Sequence, residues 1–392
     1  MYKKRKDFLV FGAPLIEEPE IKEITDILRS GWIGTGPKAK RFEEMFRRYK
    51  LRKYAIALNS CTAALHLSIR AIDIQNGDEV ILPSMTFAGT ANAVIHAGGR
   101  PVFADCRRDT MTIDPEDIRR KITSKTKAII PVHFAGRPCD MDEILAIAKR
   151  YRLKVIEDCA HAIEAEYKGK KIGTLGDLAC FSFYVTKNIT TCEGGMVITD
   201  DSAYSEKIKI RAMQGLAEDA WTRFSDKSHK HYEVVCDGYK CNMTDLQAVI
   251  GIHQLPRIDK YWRRRKEIWG RYDEAFRDLP LAMPLPVAPG DRHALHLYTL
   301  LLDIDNLKMT RDCFLKEMIK RNIGIGVHYI ALHLHPYYRN NFGYRPGDFP
   351  NAEWISERTV SLPLSPKLAA EDVEDVISAV VDIVGHGKNK NT

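Results

Sequence analysis

Between residues 50 and 200 the chain alternates short apolar runs with stretches of helical period. Tyr54–Leu58, Glu79–Leu82, Pro101–Ala104, Ala128–Phe134, Lys154–Glu157, Ala179–Tyr184 and Met196–Thr199 have the length and apolar content of buried strands. Ala63–Ile72, Thr86–His96, Pro115–Ile122 and Met141–Tyr151 between them carry the helical period. Asp114 and Asp140 stand as N-caps for the last two. This alternation predicts a mainly parallel sheet with helices on both faces.

The pattern changes after residue 200. Gly215–Gly238 is polar, charged and aromatic, and is expected to be a long surface loop. Thr244–Leu255 and Arg257–Phe276 are predicted helices. The proline-rich Pro280–Pro289 marks a boundary. Beyond it, a strand at His296–Leu302, a helix at Arg311–Arg321, a strand at Val327–Tyr329 and a helix at Glu371–Val384 suggest a smaller α+β unit. Gly387–Thr392 is expected to fray. The predicted division is a large domain over 1–255, then a linking helix and small C-terminal domain over 256–392.

Composition narrows the class. The chain has 392 residues, 45% hydrophobic and 28% charged, which excludes disordered, fibrous and membrane-embedded chains. A net charge of +7 is mild for this length and favours anionic small substrates slightly, without pointing to nucleic acid. The basic run Arg263–Lys266 is expected to be a solvated helix face. Nine cysteines without a CxxC pair suggest a reducing compartment, and the cytoplasm is the expected location. Lys3–Lys6 before an apolar stretch resembles a leader, but Pro14 and Glu17-Glu18 interrupt it. No apolar run approaches the ~20 residues needed to cross a bilayer.

Ligands of open parallel sheets bind beyond the carboxyl ends of the strands. Three polar groups fall there. Asn59-Ser60-Cys61-Thr62 begins a helix, where free amides and hydroxyls suit a phosphate. Asp158 and His161 follow an apolar strand, where a carboxylate needs a cation or several donors. Lys187 follows the aromatic run Phe181–Tyr184, and a lysine beside a core can act as a neutral nucleophile. Taken alone, each also fits a bland role: a plain N-cap, a satisfied carboxylate, a packed histidine, a surface lysine. Jointly they supply an anion cradle, a carboxylate for a pyridinium nitrogen and an amine for an aldehyde. Those are the parts of a pyridoxal phosphate site. Phe87 could supply an aromatic wall, or simply belong to the core.

The ordered blocks Gly31–Pro37, Asn59–Leu65, Pro83–Ala91, Ile129–Gly136, Glu157–Ala162, Phe181–Gly195, Gly238–Gly251, Gly326–Arg339 and Ser361–Pro363 resemble the DegT/DnrJ/EryC1 nucleotide-sugar aminotransferases. These are fold-type-I pyridoxal phosphate enzymes. The Gly238–Asp245, His293–His296 and Glu353–Arg358 segments are most similar to the branch making UDP-4-amino-4-deoxy-L-arabinose.

The resemblance implies an α/β aspartate-aminotransferase-like fold and a homodimer with active sites at the subunit interface. It implies transfer of an amino group from L-glutamate, leaving 2-oxoglutarate, to a UDP-4-keto sugar for surface polysaccharide or lipopolysaccharide. By position, Lys187 matches the lysine that binds the cofactor covalently, and Asp158 the acid facing the pyridine nitrogen. His161 matches the polar residue beside the ring, and Phe87 the stacking aromatic. Cys61, Thr62 and Ser182 match phosphate contacts. Asn242, or alternatively Lys240, matches the contact to the neighbouring subunit's phosphate. Trp32 and Thr35 lie in the segment through which substrate enters, and His328 and Tyr329 near the sugar nucleotide.

Phe87 and Cys241 depart from the usual residues and leave the sugar open. A 3-aminotransferase and a ring-forming dehydratase of the same fold are the rivals, although Lys187 argues against the dehydratase. A DNA-binding regulator is disfavoured. No metal site is expected at His328, His333 and His335, whose neighbours lack matching ligands; the roles of His333 and His335 stay open.

Overall fold

The computed structural model describes residues 4–216 and 233–388. Its centre is a seven-stranded sheet in the order Tyr54–Leu58, Gly195–Thr199, Leu178–Ser182, Lys154–Asp158, Thr126–Ile129, Glu79–Pro83, Arg100–Ala104. Only Gly195–Thr199 runs against the others. The strands are buried on both faces, as an enclosed, mostly parallel sheet requires. Two apolar clusters cover them. One gathers Leu58, Leu65, Leu82, Ile156 and Val197; the other gathers Phe42, Phe46, Val155, Phe181 and Ile198.

Helix starts follow their side-chain caps. Ser60 accepts from the Ala63 amide and opens Cys61–Ala71. Thr244 and Gln247 form a reciprocal capping box at the start of Asp245–Gln254. Asp114 caps Pro115–Lys121 as expected. Asp140 precedes Met141–Tyr151 but does not cap it; its carboxylate accepts from the Tyr167 hydroxyl instead.

Several expectations change. Two helices, Glu18–Ser30 and Pro37–Lys50, precede the first strand and pack on Asp245–Gln254. Their signal was available: Pro37 at the start, then Ala39, Phe42 and Phe46 at helical spacing, all buried. The strand expected over Ala128–Phe134 ends at Ile129, because Pro131 has no amide to donate. Val327–Tyr329 is not a strand. There the His328 and Tyr329 carbonyls accept from the Thr359 and Ser356 hydroxyls, not from a ladder. Most of the loop expected at Gly215–Gly238 lies outside the described residues. The last helix, Ala370–Lys388, extends into the expected tail, whose final four residues also lie outside.

The chain after residue 280 forms a second, antiparallel sheet of Leu281–Ala282, Tyr298–Leu302 and Thr359–Leu362. The long helix Ile258–Phe276 joins the two regions. Ile258 packs in the first core, while Ile268, Tyr272 and Phe276 pack with Tyr298, Phe314 and Val376 in another. The Arg263–Lys266 run is therefore not wholly solvated: Arg265 is buried and pairs with Glu164. Among the described residues no helix is long and apolar enough to cross a membrane.

Candidate active site

The carboxyl ends of the parallel strands meet at one edge of the large sheet. Leu58 and Ser182 both pair with Gly195, and Asp158 pairs with Cys180 two residues from the end of the next strand. This register brings the helix start at Cys61 and the polar residues at 158, 182 and 187 to that edge. Helix Ala88–His96 begins nearby, with Phe87 at its N-cap position and exposed.

Asp158 is the last residue of its strand and is buried. Its carboxylate accepts from the Thr90 hydroxyl at 2.9 Å and the Ala160 amide at 3.1 Å. Burial raises its pKa, while those two bonds and the nearby Lys187 hold the rise back. Lys187 sits in the loop between Leu178–Ser182 and Gly195–Thr199, its amide bonded to the Tyr184 carbonyl at 2.9 Å. Burial lowers the Lys187 amine to about 8, against the opposing pull of Cys61 and Asp158. Such an amine is appreciably neutral near neutral pH, as a nucleophile requires.

His161 accepts from the Ala135 amide through Nδ1, at 3.2 Å. A neutral ring then carries its proton on Nε2, facing the Tyr329 hydroxyl at 3.2 Å. Burial, reinforced by Lys187 and His296, holds the His161 pKa well below its usual value, so the ring is neutral. The Phe87 and Tyr329 rings lie 6.0 Å apart. His328 bonds Ser361 at 2.9 Å, and burial pushes it down to about 3.

The anion cradle is tightly built. Cys61 and Thr62 occupy the first turn of their helix, where amides have no intrahelical partner. A Cβ on Gly195 would lie 2.3 Å from the Ser60 carbonyl oxygen and 2.6 Å from the Cys61 nitrogen. One on Gly89 would lie 2.9 Å from the Thr62 hydroxyl. Glycine at both positions keeps the cradle open. Ser182 stands at the adjoining strand end, where its hydroxyl accepts from the Tyr184 amide at 3.3 Å.

Asn242 bridges Leu58 at the strand end that leads into the cradle, and it groups with Trp32 and Thr35. All three line a cavity of about 620 Å³ that does not include Lys187. Asn242 donates to the Thr35 hydroxyl, which donates to the Met243 carbonyl at 2.6 Å. The Lys240 carbonyl accepts from Asn59 at 3.3 Å. His333 is buried and joins Ser84, at 2.7 Å, to Glu353, at 2.9 Å. His335 precedes helix Pro336–Phe342. Thr90 escaped the sequence reading, although Thr86 and Thr90 stand one helical turn apart and share a 2.9 Å contact. Among the described residues, His133, Glu157 and Cys159 have metal-like spacing. However, the Glu157 oxygens are engaged by His133 and by the Gly173, Leu175 and Gly176 amides.

A helix-start anion cradle, a buried acid with no ion-pair partner among the described residues and a partly neutral lysine fit pyridoxal phosphate. The family model for DegT/DnrJ/EryC1/StrS aminotransferases matches residues 14–381. The chain belongs to that family. It is 53% identical over 384 residues to the uncharacterized protein MJ1066 of Methanocaldococcus jannaschii, covering 98% of this chain and 100% of that one. It is 48% identical over 389 residues to the spore coat polysaccharide biosynthesis protein SpsC of Bacillus subtilis, covering 98% and 99%. The aminotransferase also superposes on the PMP form of Spr1654 of Streptococcus pneumoniae, described as a sugar aminotransferase. The TM-score is 0.91 at 33% identity, over 97% of this chain and 100% of Spr1654. Spr1654 has been solved in its PLP form as well. The protein is therefore a PLP-dependent aminotransferase, with the mixed α/β fold of those enzymes.

Proposed function

We propose that this aminotransferase moves the amino group of L-glutamate onto a keto nucleotide sugar, a UDP-4-keto sugar by its resemblance to the UDP-4-amino-4-deoxy-L-arabinose branch. The product would serve surface polysaccharide synthesis. The likeness to SpsC supports that setting. The observation that carries the reading is the convergence of Lys187, Asp158 and the Cys61 helix start at one sheet edge.

Bound pyridoxal phosphate supplies an aldehyde that condenses with amines and a ring that accepts carbanion charge. Lys187 Nζ holds it covalently at rest, and when released carries the proton taken from the donor's α-carbon. Asp158 sets a negative charge against the ring nitrogen, favouring its protonated form. The amides of Cys61 and Thr62 and the Ser182 hydroxyl bind the phosphate. Phe87 would stack on the ring and His161 would stand beside it. His328 and Tyr329 approach the sugar nucleotide.

Trp32, Thr35 and Asn242, which line one cavity together, serve the neighbouring subunit's site in a homodimer. Lys240 is the alternative to Asn242 there. We place the large domain at 1–255 and the small one, with its linking helix, at 256–392. The cytoplasm is the proposed location, in keeping with nine free cysteines. The test is a panel of keto nucleotide sugars with glutamate as donor, read by mass spectrometry. Amination of a UDP-4-keto sugar is expected; failure of every UDP-linked candidate would overturn the branch and leave the family untouched.

A further inference from the structure

The lysine loop has a neighbour that the mechanism does not use. Asn188 adjoins Lys187 and spends its amide on three buried groups. Its Nδ2 donates to Glu164 at 2.6 Å and to the Ala294 carbonyl at 2.9 Å. Its Oδ1 faces His296 Nδ1 at 2.9 Å. These partners fix the amide's orientation, because Nδ2 can only donate and Oδ1 only accept. His296 then donates from Nδ1, and its ring lies 4.5 Å from that of His161. The second Glu164 oxygen pairs with Arg265, which is 1% exposed and sits on the long helix Ile258–Phe276.

The loop itself has little regular structure to hold it. Among the described residues it is closed by backbone bonds from Phe183 to Gly194 and from Thr191 to Phe183, both 2.9 Å. Neither of these grips residue 187 or 188, and the Lys187 amide closes only a single turn, on the Tyr184 carbonyl at 2.9 Å. A lysine on such a segment can swing toward water unless something pins it, and a group must be held within about 0.5 Å of its productive place to react well.

We propose that Asn188 is a positioning residue that keeps the Lys187 amine inside the site, with Glu164 as its anchor and His296 as its second clamp. Arg265 acts one step further out, holding the Glu164 carboxylate so that one oxygen stays turned to Asn188. The inference rests on Lys187 being the cofactor lysine. It ties the lysine loop to the helix that joins the two sheets. The clamp also determines the environment of the amine: burial lowers the Lys187 pKa to about 8, and release of the loop would return it toward the ordinary ~10.4.

The test uses the full chain stripped of cofactor. Each lysine is labelled with an amine reagent across a pH series and mapped by peptide mass, so every site reports its own midpoint. In Asn188→Ala the Lys187 midpoint is expected to rise by about one pH unit, roughly tenfold less neutral amine at neutral pH. Lys50, buried on the carbonyls of Ile163 and Ile172, should keep its own midpoint. A folded Asn188→Ala chain with the wild-type Lys187 midpoint would overturn the proposal.

A second pair of variants decides the matter if Asn188→Ala does not fold. Glu164→Ala with Arg265→Met removes both charges together and should shift Lys187 as Asn188→Ala does. Glu164→Gln with Arg265→Met keeps an acceptor for Asn188 and should restore the wild-type midpoint. Equal midpoints in the two double variants would overturn the proposal. Borohydride trapping of the wild-type chain with pyridoxal phosphate separates the premise from the inference. A tag on another peptide removes the role of Lys187, whereas a tag on Lys187 with an unshifted variant removes only the clamp.

Discussion

Thr90 and Asp158 share one buried hydrogen bond, 2.9 Å from hydroxyl to carboxylate. It joins the first turn of one helix to the end of a central strand. Burial drives the Asp158 pKa up, and this bond helps restrain it. Thr90→Val should let it rise further and weaken the hold on the ring-nitrogen proton. A bond to a charged group contributes about 1.5–3 kcal/mol, so kcat/KM should fall roughly tenfold or more. Steady-state kinetics on folded variant protein would show this, and an unchanged kcat/KM would contradict it.

Lys187→Ala should abolish turnover yet still bind pyridoxal phosphate through the cradle and Asp158. Equilibrium dialysis would report retained cofactor, and borohydride reduction would leave the 187 peptide untagged. Normal cycling by the variant would refute the assignment of Lys187.

The amine of Lys187 should titrate unusually low. Its folded pKa of about 8 lies below the ordinary lysine value. Capture of pyridoxal phosphate by the stripped chain should therefore slow about tenfold for each pH unit below 8 and level off above it. An ordinary lysine would keep gaining rate to ~10.4. Stopped-flow absorbance over a pH series separates the two.

Gly195→Ala tests the cradle. The added Cβ would lie within 2.6 Å of the Cys61 nitrogen and closer still to the Ser60 carbonyl oxygen. Overpacking of this kind costs about 1–3 kcal/mol. Here it should appear as weaker cofactor binding, on the order of tenfold or more, in a titration of the stripped chain. Undiminished affinity would show that the helix start does not hold the phosphate.

Glu157, next to Asp158 but facing the other way, should matter for stability rather than catalysis. Burial pushes its pKa up, but His133 and the backbone amides outweigh that and leave it lowered. Its contribution is therefore complete above the unfolded carboxylate value of ~4.3 and fades as pH falls through the lower folded value. Glu157→Ala should lose about 3–5 kcal/mol at neutral pH, with the gap to wild type narrowing in acid. Thermal melts at neutral and acidic pH would check both the size and the trend.

The sheet could be read from the chain because its strands are short apolar runs between helical periods, as in Tyr54–Leu58 and Lys154–Asp158. Sequence neighbours also reveal what a strand end offers: Asp158, Lys187 and the Ser60–Thr62 helix start all stand just where apolar runs stop. The strand expected at Val327–Tyr329 failed because side-chain hydroxyls, not a ladder, satisfy its carbonyls. The solvated face expected at Arg263–Lys266 holds for Arg263 and Lys266 but not for Arg265, which Glu164, some hundred residues earlier, claims.

By itself, then, the sequence determined the alternating architecture, which local periodicity carries, and brought out Lys187 and Asp158 as candidates through their place at strand ends and the resemblance to a known family. Tertiary structure alone decided that Thr90 meets Asp158, that Asn188 is clamped between Glu164 and His296, and that Trp32 and Thr35 share a cavity with Asn242. Those are pairings between distant segments. They depend on strand order and helix packing, and no pattern of neighbouring residues encodes them.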